Sequence, residues 1–126
     1  MGSFATATLN QMLDAYVGRT TFTANAAFYV KLHTGDPGAA GANNAATNTT
    51  RQAVTFGNAA ASGTISNTAA VEWTSVSTTE TYTHVSFWTA STNGTFLGSD
   101  DLSSSAAMTA GETFRIPVGD LDLTLT

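Results

Sequence analysis

The stretch 81–88, TYTHVSFW, decides the fold of this chain. Successive side chains of a strand point to opposite faces, and here bulky residues occur in both alternating sets. One face carries Tyr82, His84, Ser86 and Trp88. The other carries Thr83, Val85 and Phe87. The pattern predicts a central β-strand that is covered on two sides.

A tight turn follows this strand. Residues 91–94 read STNG, and the apolar pair Phe96-Leu97 comes soon afterwards. An Asn-Gly pair supplies the positive φ angles that a two-residue hairpin turn requires. The sequence therefore predicts a β-hairpin as the centre of the fold.

Composition limits the classes of protein to which the chain can belong. Its 126 residues suit one domain, which we divide into a helix with its lead-in (residues 1–25) and a β-sandwich (residues 26–126). Only 10% of residues are charged, against about 25% in typical domains, which favours a surface that packs against neighbours. The net charge of −5 and four scattered basic residues argue against nucleic acid as a partner. No apolar run approaches a membrane span, and no cysteine is present.

An N-terminal helix is predicted from Ser3 to Gly18, capped by Ser3 or Thr8. Its apolar residues recur at helical spacing and form one stripe. The stripe consists of Leu9, Met12, Leu13, Tyr16 and Val17. It either packs on the sheet of its own domain or docks on another subunit, and we treat it as a candidate interface.

The rest of the chain alternates short strand patterns with turn signals. Predicted strands include 26–32 with His33 facing outward, 52–56, an irregular strand over 64–73, 96–102, 113–116 and 121–125. Residues 103–110 are expected to form a loop. Seven to nine short strands at this spacing predict a mainly β fold, an antiparallel β-sandwich with one N-terminal α-helix.

A long segment without periodicity or charge runs from Ala39 to Thr50. Loops of this length in compact domains are usually functional or mobile. Three amide side chains in it, Asn43, Asn44 and Asn48, are candidate partner contacts.

Candidates for chemistry are sparse, and no cofactor is expected. His84 is interpreted as an imidazole at the edge of the core, although His84, a serine and Asp100 could form a triad on paper. The scattered acidic residues lack the spacing of a calcium loop. Tyr29, Tyr82 and Trp88 are the candidate outward aromatics for a sugar-stacking site.

Several blocks of sequence resemble a family of small tailed-phage structural proteins, described as tail-fibre-like or minor tail proteins. The first is YVKLHTGDPGAAG at residues 29–41. The later blocks, in order, are RQAVTFG (51–57), SNTAAVEW (66–73), THVSFWTA (83–90), FLGSDDL (96–102) and AGETFRIPVGDLDLTL (110–125). Residues 42–50 depart from the family pattern, since relatives more often have an acidic residue, glycines and a tyrosine there.

The resemblance implies a virion component without catalytic residues, assembled in the host cytoplasm. Its expected partners are other virion proteins and further copies of itself, and its expected place is the tail. A capsid decoration protein that reinforces the head is the first alternative. A host-surface carbohydrate-binding module is the second, and a hydrolase is the third.

Overall fold

The computed structural model describes residues 3–21, 23–58 and 60–124. In chain order the elements of this part are β1 (Ser3–Phe4), α1 (Thr6–Tyr16), β2 (Phe28–His33), β3 (Gln52–Val54), β4 (Thr64–Ser66), β5 (Val71–Trp73), β6 (Glu80–Trp88), β7 (Phe96–Met108), β8 (Phe114–Ile116) and β9 (Asp122–Thr124). All strand pairs are antiparallel. The predicted mainly β fold with antiparallel sheets and one N-terminal helix is confirmed.

The largest sheet has five strands in the order β1-β7-β6-β2-β3, so β6 lies at its centre. On one side β6 pairs with β2, in a register that runs from Tyr29 opposite Trp88 to His33 opposite His84. On the other side it pairs with β7. The prediction that TYTHVSFW forms a central strand is therefore confirmed.

The hairpin that joins β6 to β7 has the predicted positive φ angles, but they occur in a seven-residue connection, residues 89–95, and not in a tight two-residue turn. Asn93 and Gly94 both have positive φ angles, 54° and 74°. The Thr89 N–H donates to the Thr95 carbonyl at 3.2 Å and closes the end of the ladder. Asparagine and glycine tolerate this left-handed backbone better than other residues, which explains why the turn forms here.

Two separate two-stranded sheets, β4-β9 and β5-β8, supply the second layer. Their buried residues join those of the large sheet in one apolar cluster. At its centre the Phe114 ring packs against Trp73 and Tyr82, with ring centroids 5.7 and 5.3 Å apart. The aromatic residues thus connect β8 and β5 to the central strand.

Residues 64–73 are divided between the two small sheets, so the prediction of one irregular strand is wrong. Asn67, only 1% exposed, redirects the chain between them. Its Nδ2 donates to the carbonyls of Ala69 and Pro117 at 2.8 and 3.0 Å. Its Oδ1 accepts from the N–H groups of Gly119 and Leu121, both at 3.0 Å. The Asn67 side chain thus satisfies two backbone carbonyls and two backbone N–H groups where the chain turns in the interior. In one continuous strand, backbone groups would instead have paired with a neighbouring strand.

Strand β7 continues to Met108, whereas a loop was predicted after Leu102. Residues 103–110 carry no alternation of apolar and polar residues, so the pairing of Ala106, Ala107 and Met108 with β6 was not visible in the sequence. The register between β6 and β7 shifts between Tyr82 and His84. This irregularity brings Tyr82 into the same buried cluster as Val85, three positions away, so the prediction that Tyr82 faces outward is wrong.

The N-terminus also differs from the prediction. Ser3 and Phe4 form β1 opposite Ser99 and Gly98, and the helix begins only at Thr6. Its N-cap is Ala5, which makes no side-chain capping bond. Pairing with the edge of β7 therefore replaced the capping that Ser3 or Thr8 was expected to provide.

The strand predicted at the C-terminus is present as β9. Leu121 and Leu123 are buried, as the alternation predicted, whereas Leu125 lies outside the described residues.

We expect Gly94→Ala to lower the free energy of unfolding by about 2 kcal/mol. Alanine would be strained at a φ of +74°, and its Cβ would lie 2.8 Å from Thr89 Oγ1 and 3.0 Å from Ala90 Cβ. Gly63→Ala is the matched control, since Gly63 has a φ of +77° but no atom near its Cβ position within 4 Å. It should cost only about 1 kcal/mol. Urea unfolding of both variants measures the difference, and equal costs would contradict a crowded turn.

Candidate interaction surfaces

The apolar stripe of α1 is divided by its packing. Leu9 and Met12 are half-buried, and Met12 lines an apolar groove of about 650 Å³ with Phe4, Phe28 and Phe56. The other three residues of the stripe are turned to solvent. They are Leu13, Tyr16 and Val17, with exposed fractions of 64%, 91% and 68%. Residues at positions i, i+3 and i+4 are neighbours on a helix, so the three form one continuous face, the α1 apolar face.

The end of the helix that carries this face is well defined. Gly18 has a φ of +80°, and its N–H donates to the Ala15 carbonyl at 3.1 Å. The next N–H, that of Arg19, donates to the Asp14 carbonyl at 2.8 Å. These two bonds form a Schellman motif, which satisfies carbonyls that would otherwise lack partners. An exposed ion pair between Arg19 and Asp14, at 2.9 Å, adds little stability but leaves this end without net charge.

The segment 34–50 is anchored to the sheet by hydrogen bonds. The N–H groups of Thr47 and Asn48 donate to the two carboxylate oxygens of Glu80 at 3.0 and 3.1 Å. The Ala46 N–H donates to the Leu32 carbonyl at 3.1 Å, and the Trp73 indole donates to the Thr50 carbonyl at 2.8 Å. The segment therefore has a defined path across β2 and β6.

The three asparagines of this segment are placed differently from one another. Asn43 and Asn44 are exposed, although Asn44 Nδ2 donates to the Asp36 carbonyl at 2.9 Å. Asn48 is only 9% exposed. Its side chain is thus not presented at the surface in the way that Asn43 is.

A chain of buried hydrogen bonds lies beneath this segment. His33 is completely buried, so the prediction that it faces outward is wrong. Its Nδ1 is 2.8 Å from the Asn43 carbonyl and its Nε2 is 2.7 Å from Ser86 Oγ. The Trp88 indole N–H donates to the same hydroxyl oxygen at 2.7 Å.

The protonation states in this chain follow from what each partner can do. A carbonyl only accepts, so Nδ1 of His33 carries the proton that it donates to Asn43. Ser86 Oγ accepts from Trp88 and donates its own proton to Nε2, which leaves His33 neutral. Burial lowers the pKa of His33 below its ordinary value of 6.5, and the positive charge of Lys31 acts in the same direction, while the Asn43 carbonyl opposes them.

Trp88 has a second partner on its exposed side. The Arg51 guanidinium lies 4.1 Å from the centre of the Trp88 ring, a cation–π contact. The same guanidinium donates to the carbonyls of Ala90 and Asn93 at 2.8 and 2.7 Å. Arg51 therefore ties the end of segment 34–50 to the β6–β7 turn. This role could not be predicted from the sequence, because an isolated arginine in a strand pattern has no characteristic spacing.

The histidine of the candidate triad, His84, is held by a local contact. His84 is half-buried and its Nδ1 is 2.8 Å from Thr83 Oγ1. The closest Ser-His contact, Ser86 with His33, is completely buried, so its hydroxyl is out of reach of a substrate. In residues 3–21, 23–58 and 60–124, no three His, Cys, Asp or Glu side chains come together as metal ligands.

The aromatic residues proposed for sugar stacking are also placed by the fold. Tyr82 is 0% exposed, and burial raises its pKa. Tyr29 is half-buried opposite Trp88. Within the described part of the chain, no helix is long and apolar enough to span a membrane.

Comparison with known proteins identifies the class. The family model described as podophage GP4 fiber I protein gp80 matches residues 3–124, almost the whole chain, and the chain belongs to this family. The resemblance to tail-fibre-like phage proteins is therefore confirmed. A search of the curated proteins found no match.

We expect Ser86→Ala to lower the free energy of unfolding by about 1–3 kcal/mol, because it leaves a buried histidine nitrogen and a buried indole N–H without their shared partner. Ser99→Ala is the matched control, since Ser99 lies opposite Ser86 on β7 but is only half-buried. Its effect should be clearly smaller. Chemical denaturation of both variants checks this, and similar losses would argue against the buried chain.

The stability of the protein should fall as the pH drops below about 6.5, the ordinary pKa of histidine. Because the pKa of His33 is lowered in the folded state, the unfolded chain takes up the proton first, and acid favours unfolding. The stabilisation is complete above the unfolded pKa and is lost between it and the lower folded pKa. Thermal unfolding between pH 4 and pH 8 measures the slope.

His33→Asn should reduce this slope just below pH 6.5, whatever its effect at pH 8. A slope that persists in His33→Asn would show that other groups are responsible. An NMR titration of the His33 ring gives the same answer without a substitution.

Proposed function

We propose that this protein is a tail-associated fibre component that acts through protein–protein contacts, with the α1 apolar face docked on another virion protein. The family supports a virion role. The observation that carries the docking surface is the distribution of exposed apolar residues. In the described part of the chain four large apolar side chains are strongly exposed, and three of them form the α1 apolar face.

The energetics favour a partner for this face. None of the residues of α1 is fully buried, so the helix gains less from its own domain than a packed helix does. Burying three large apolar side chains in a partner would contribute several kcal/mol. The contact suits the mode in which a helix lays its apolar side into a hydrophobic groove, with residues at i, i+3 and i+4 as anchors.

The charge at this end of the helix indicates the kind of groove. Asp14 and Arg19 neutralise each other beside the α1 apolar face. The partner therefore needs an apolar groove with an uncharged or mixed rim rather than a strongly charged one.

The rest of the domain serves as a rigid support in this proposal. The buried aromatic cluster and the hydrogen bonds of segment 34–50 fix the sheets relative to one another. A non-enzymatic role is supported by the family and by the burial of the Ser86–His33 pair.

The docking surface is tested with Tyr16→Asp and Val17→Asp, introduced into the phage that encodes the protein. We expect about tenfold fewer copies per purified particle, because a charge in a desolvated anchor site costs more than 1.4 kcal/mol. Quantitative mass spectrometry of particles measures the copy number. Thermal unfolding should be nearly unchanged, since both side chains are exposed.

Val118→Asp is the matched control. Val118 is an apolar residue with 57% exposure that lies outside α1, and its substitution should leave the copy number unchanged. Normal incorporation of both helix variants would exclude the α1 apolar face as the docking surface. Independently, density for the protein on the icosahedral shell in a virion reconstruction would replace tail placement with capsid decoration.

A further inference from the structure

We propose that Lys31 and Arg51 form a binding site for a single oxyanion group, a carboxylate or a phosphate. The two residues are called the cation pair here. The pair shares no residue with the α1 apolar face, and its binding of anions can be measured on the purified protein. Its basis is an arrangement that the sequence does not show, because the two residues lie far apart in the chain.

The strand register brings the two cations together. The antiparallel register of β2 and β3, continued by one residue beyond the paired strands, sets Lys31 opposite Arg51. Lys31 lies two residues after Tyr29, which is opposite Trp88, so the side chains of Lys31 and Trp88 share one face of the sheet. The Arg51 guanidinium contacts the Trp88 ring at 4.1 Å and therefore lies on the same face.

The cation pair has no anionic counterpart in the described part of the chain. The other two basic residues, Arg19 and Arg115, form ion pairs with Asp14 and Glu72 at 2.9 and 3.4 Å. Within residues 3–21, 23–58 and 60–124, neither member of the cation pair forms an ion pair with a carboxylate. Two of the four basic residues of an acidic chain are thus placed together rather than beside its acidic residues.

This arrangement costs stability unless an anion is bound. Like charges opposite each other on neighbouring strands are destabilising. Burial lowers the pKa of Lys31, and the positive charge of Arg51 lowers it further, so the two charges act on each other. An anion bound between them would remove this repulsion.

Arg51 retains the donors that an oxyanion needs. Its Nη1 donates to the carbonyls of Ala90 and Asn93 at 2.8 and 2.7 Å, which fixes the position of the guanidinium. The N–H groups on Nε and Nη2 have no acceptor among the described residues. These two atoms form the side of the guanidinium that binds a carboxylate or a phosphate through two parallel hydrogen bonds. The Lys31 ammonium adds a second positive charge beside them.

The number of charges limits the ligand to one anionic group. A nucleic-acid backbone requires several lysines or arginines on one face, and the net charge of −5 repels long polyanions. Tyr29 and Trp88 are half-buried beside the cation pair. A carboxylate or phosphate carried on a sugar ring would therefore meet aromatic surface next to the charges.

An NMR titration of the full-length chain, labelled with nitrogen-15, tests the site with inorganic phosphate at constant ionic strength. The Arg51 Nε–H and the Trp88 indole N–H should shift in a saturable way, in the millimolar range expected for partly exposed charges. The Nε–H of Arg115, which is paired with Glu72, should move far less. Glucuronate, glucose 6-phosphate and neutral glucose are titrated in the same way. Tighter binding of a sugar-borne anion than of phosphate identifies the carrier, equal binding identifies the free ion, and glucose should not bind.

Lys31→Gln should weaken phosphate binding roughly tenfold, because it removes one of the two charges. Arg115→Gln is the matched control, since it removes the same charge from a residue that already has a carboxylate partner, and it should leave the affinity nearly unchanged. Without phosphate, Lys31→Gln should unfold at the same temperature as the native chain or above it, because repulsion within the cation pair is relieved. Saturating phosphate should raise the unfolding temperature of the native chain more than that of Lys31→Gln.

Arg51→Lys keeps the charge but removes the paired donors, and it should also weaken phosphate binding. If this variant fails to fold, Lys31→Gln still decides, because Lys31 makes no hydrogen bond within the described residues through its side chain.

Three outcomes would overturn the proposal: resonances of the cation pair that no anion shifts, shifts that sodium chloride reproduces at the same ionic strength, or an equal loss of affinity in Lys31→Gln and Arg115→Gln. None of these results depends on where the protein lies in the virion, so failure here leaves the docking of α1 to its own test.

Discussion

The hydrogen bonds from the Asn43 carbonyl through His33 and Ser86 to Trp88 are the constraint on which the arrangement of this domain depends. The central strand β6 must be covered on both faces. Apolar residues of the two small sheets cover one face, where the burial of apolar surface provides the stabilisation. Segment 34–50 covers the other face of β6. Its backbone N–H and C=O groups lose contact with water there and therefore need hydrogen-bond partners within the protein. The buried histidine is such a partner, with a neutral ring that donates on one side and accepts on the other.

This division explains where the molecule is available for interaction. The interior is closed by the aromatic cluster, and the long loop is held to the sheet at several points. Within the described residues, three of the four strongly exposed large apolar side chains lie in the α1 apolar face.

The candidate surfaces were only partly predictable from the residues. Helical periodicity located the apolar stripe of α1. The spacing of its five residues does not show which of them contact the rest of the domain and which face solvent. That boundary separates half-buried Met12 from exposed Tyr16. The extension of β7 to Met108 was not predicted, because serine and alanine carry no hydrophobic period even where they form a strand. His33 was misplaced because the covering segment lies ten residues further along the chain, and nothing local indicates that it folds back.

By itself, the sequence determined the β character of the chain, the central strand, the Asn-Gly hairpin and the membership of a phage fibre family. These depend on local rules, namely side-chain alternation, positive φ angles and the order of motifs. Only the tertiary structure decided which polar residues are buried, how residues 64–73 are divided between two sheets and which part of the helix faces solvent. Those features depend on contacts between residues far apart in the chain. Burial is a property of the assembled layers, and no short stretch of sequence contains it.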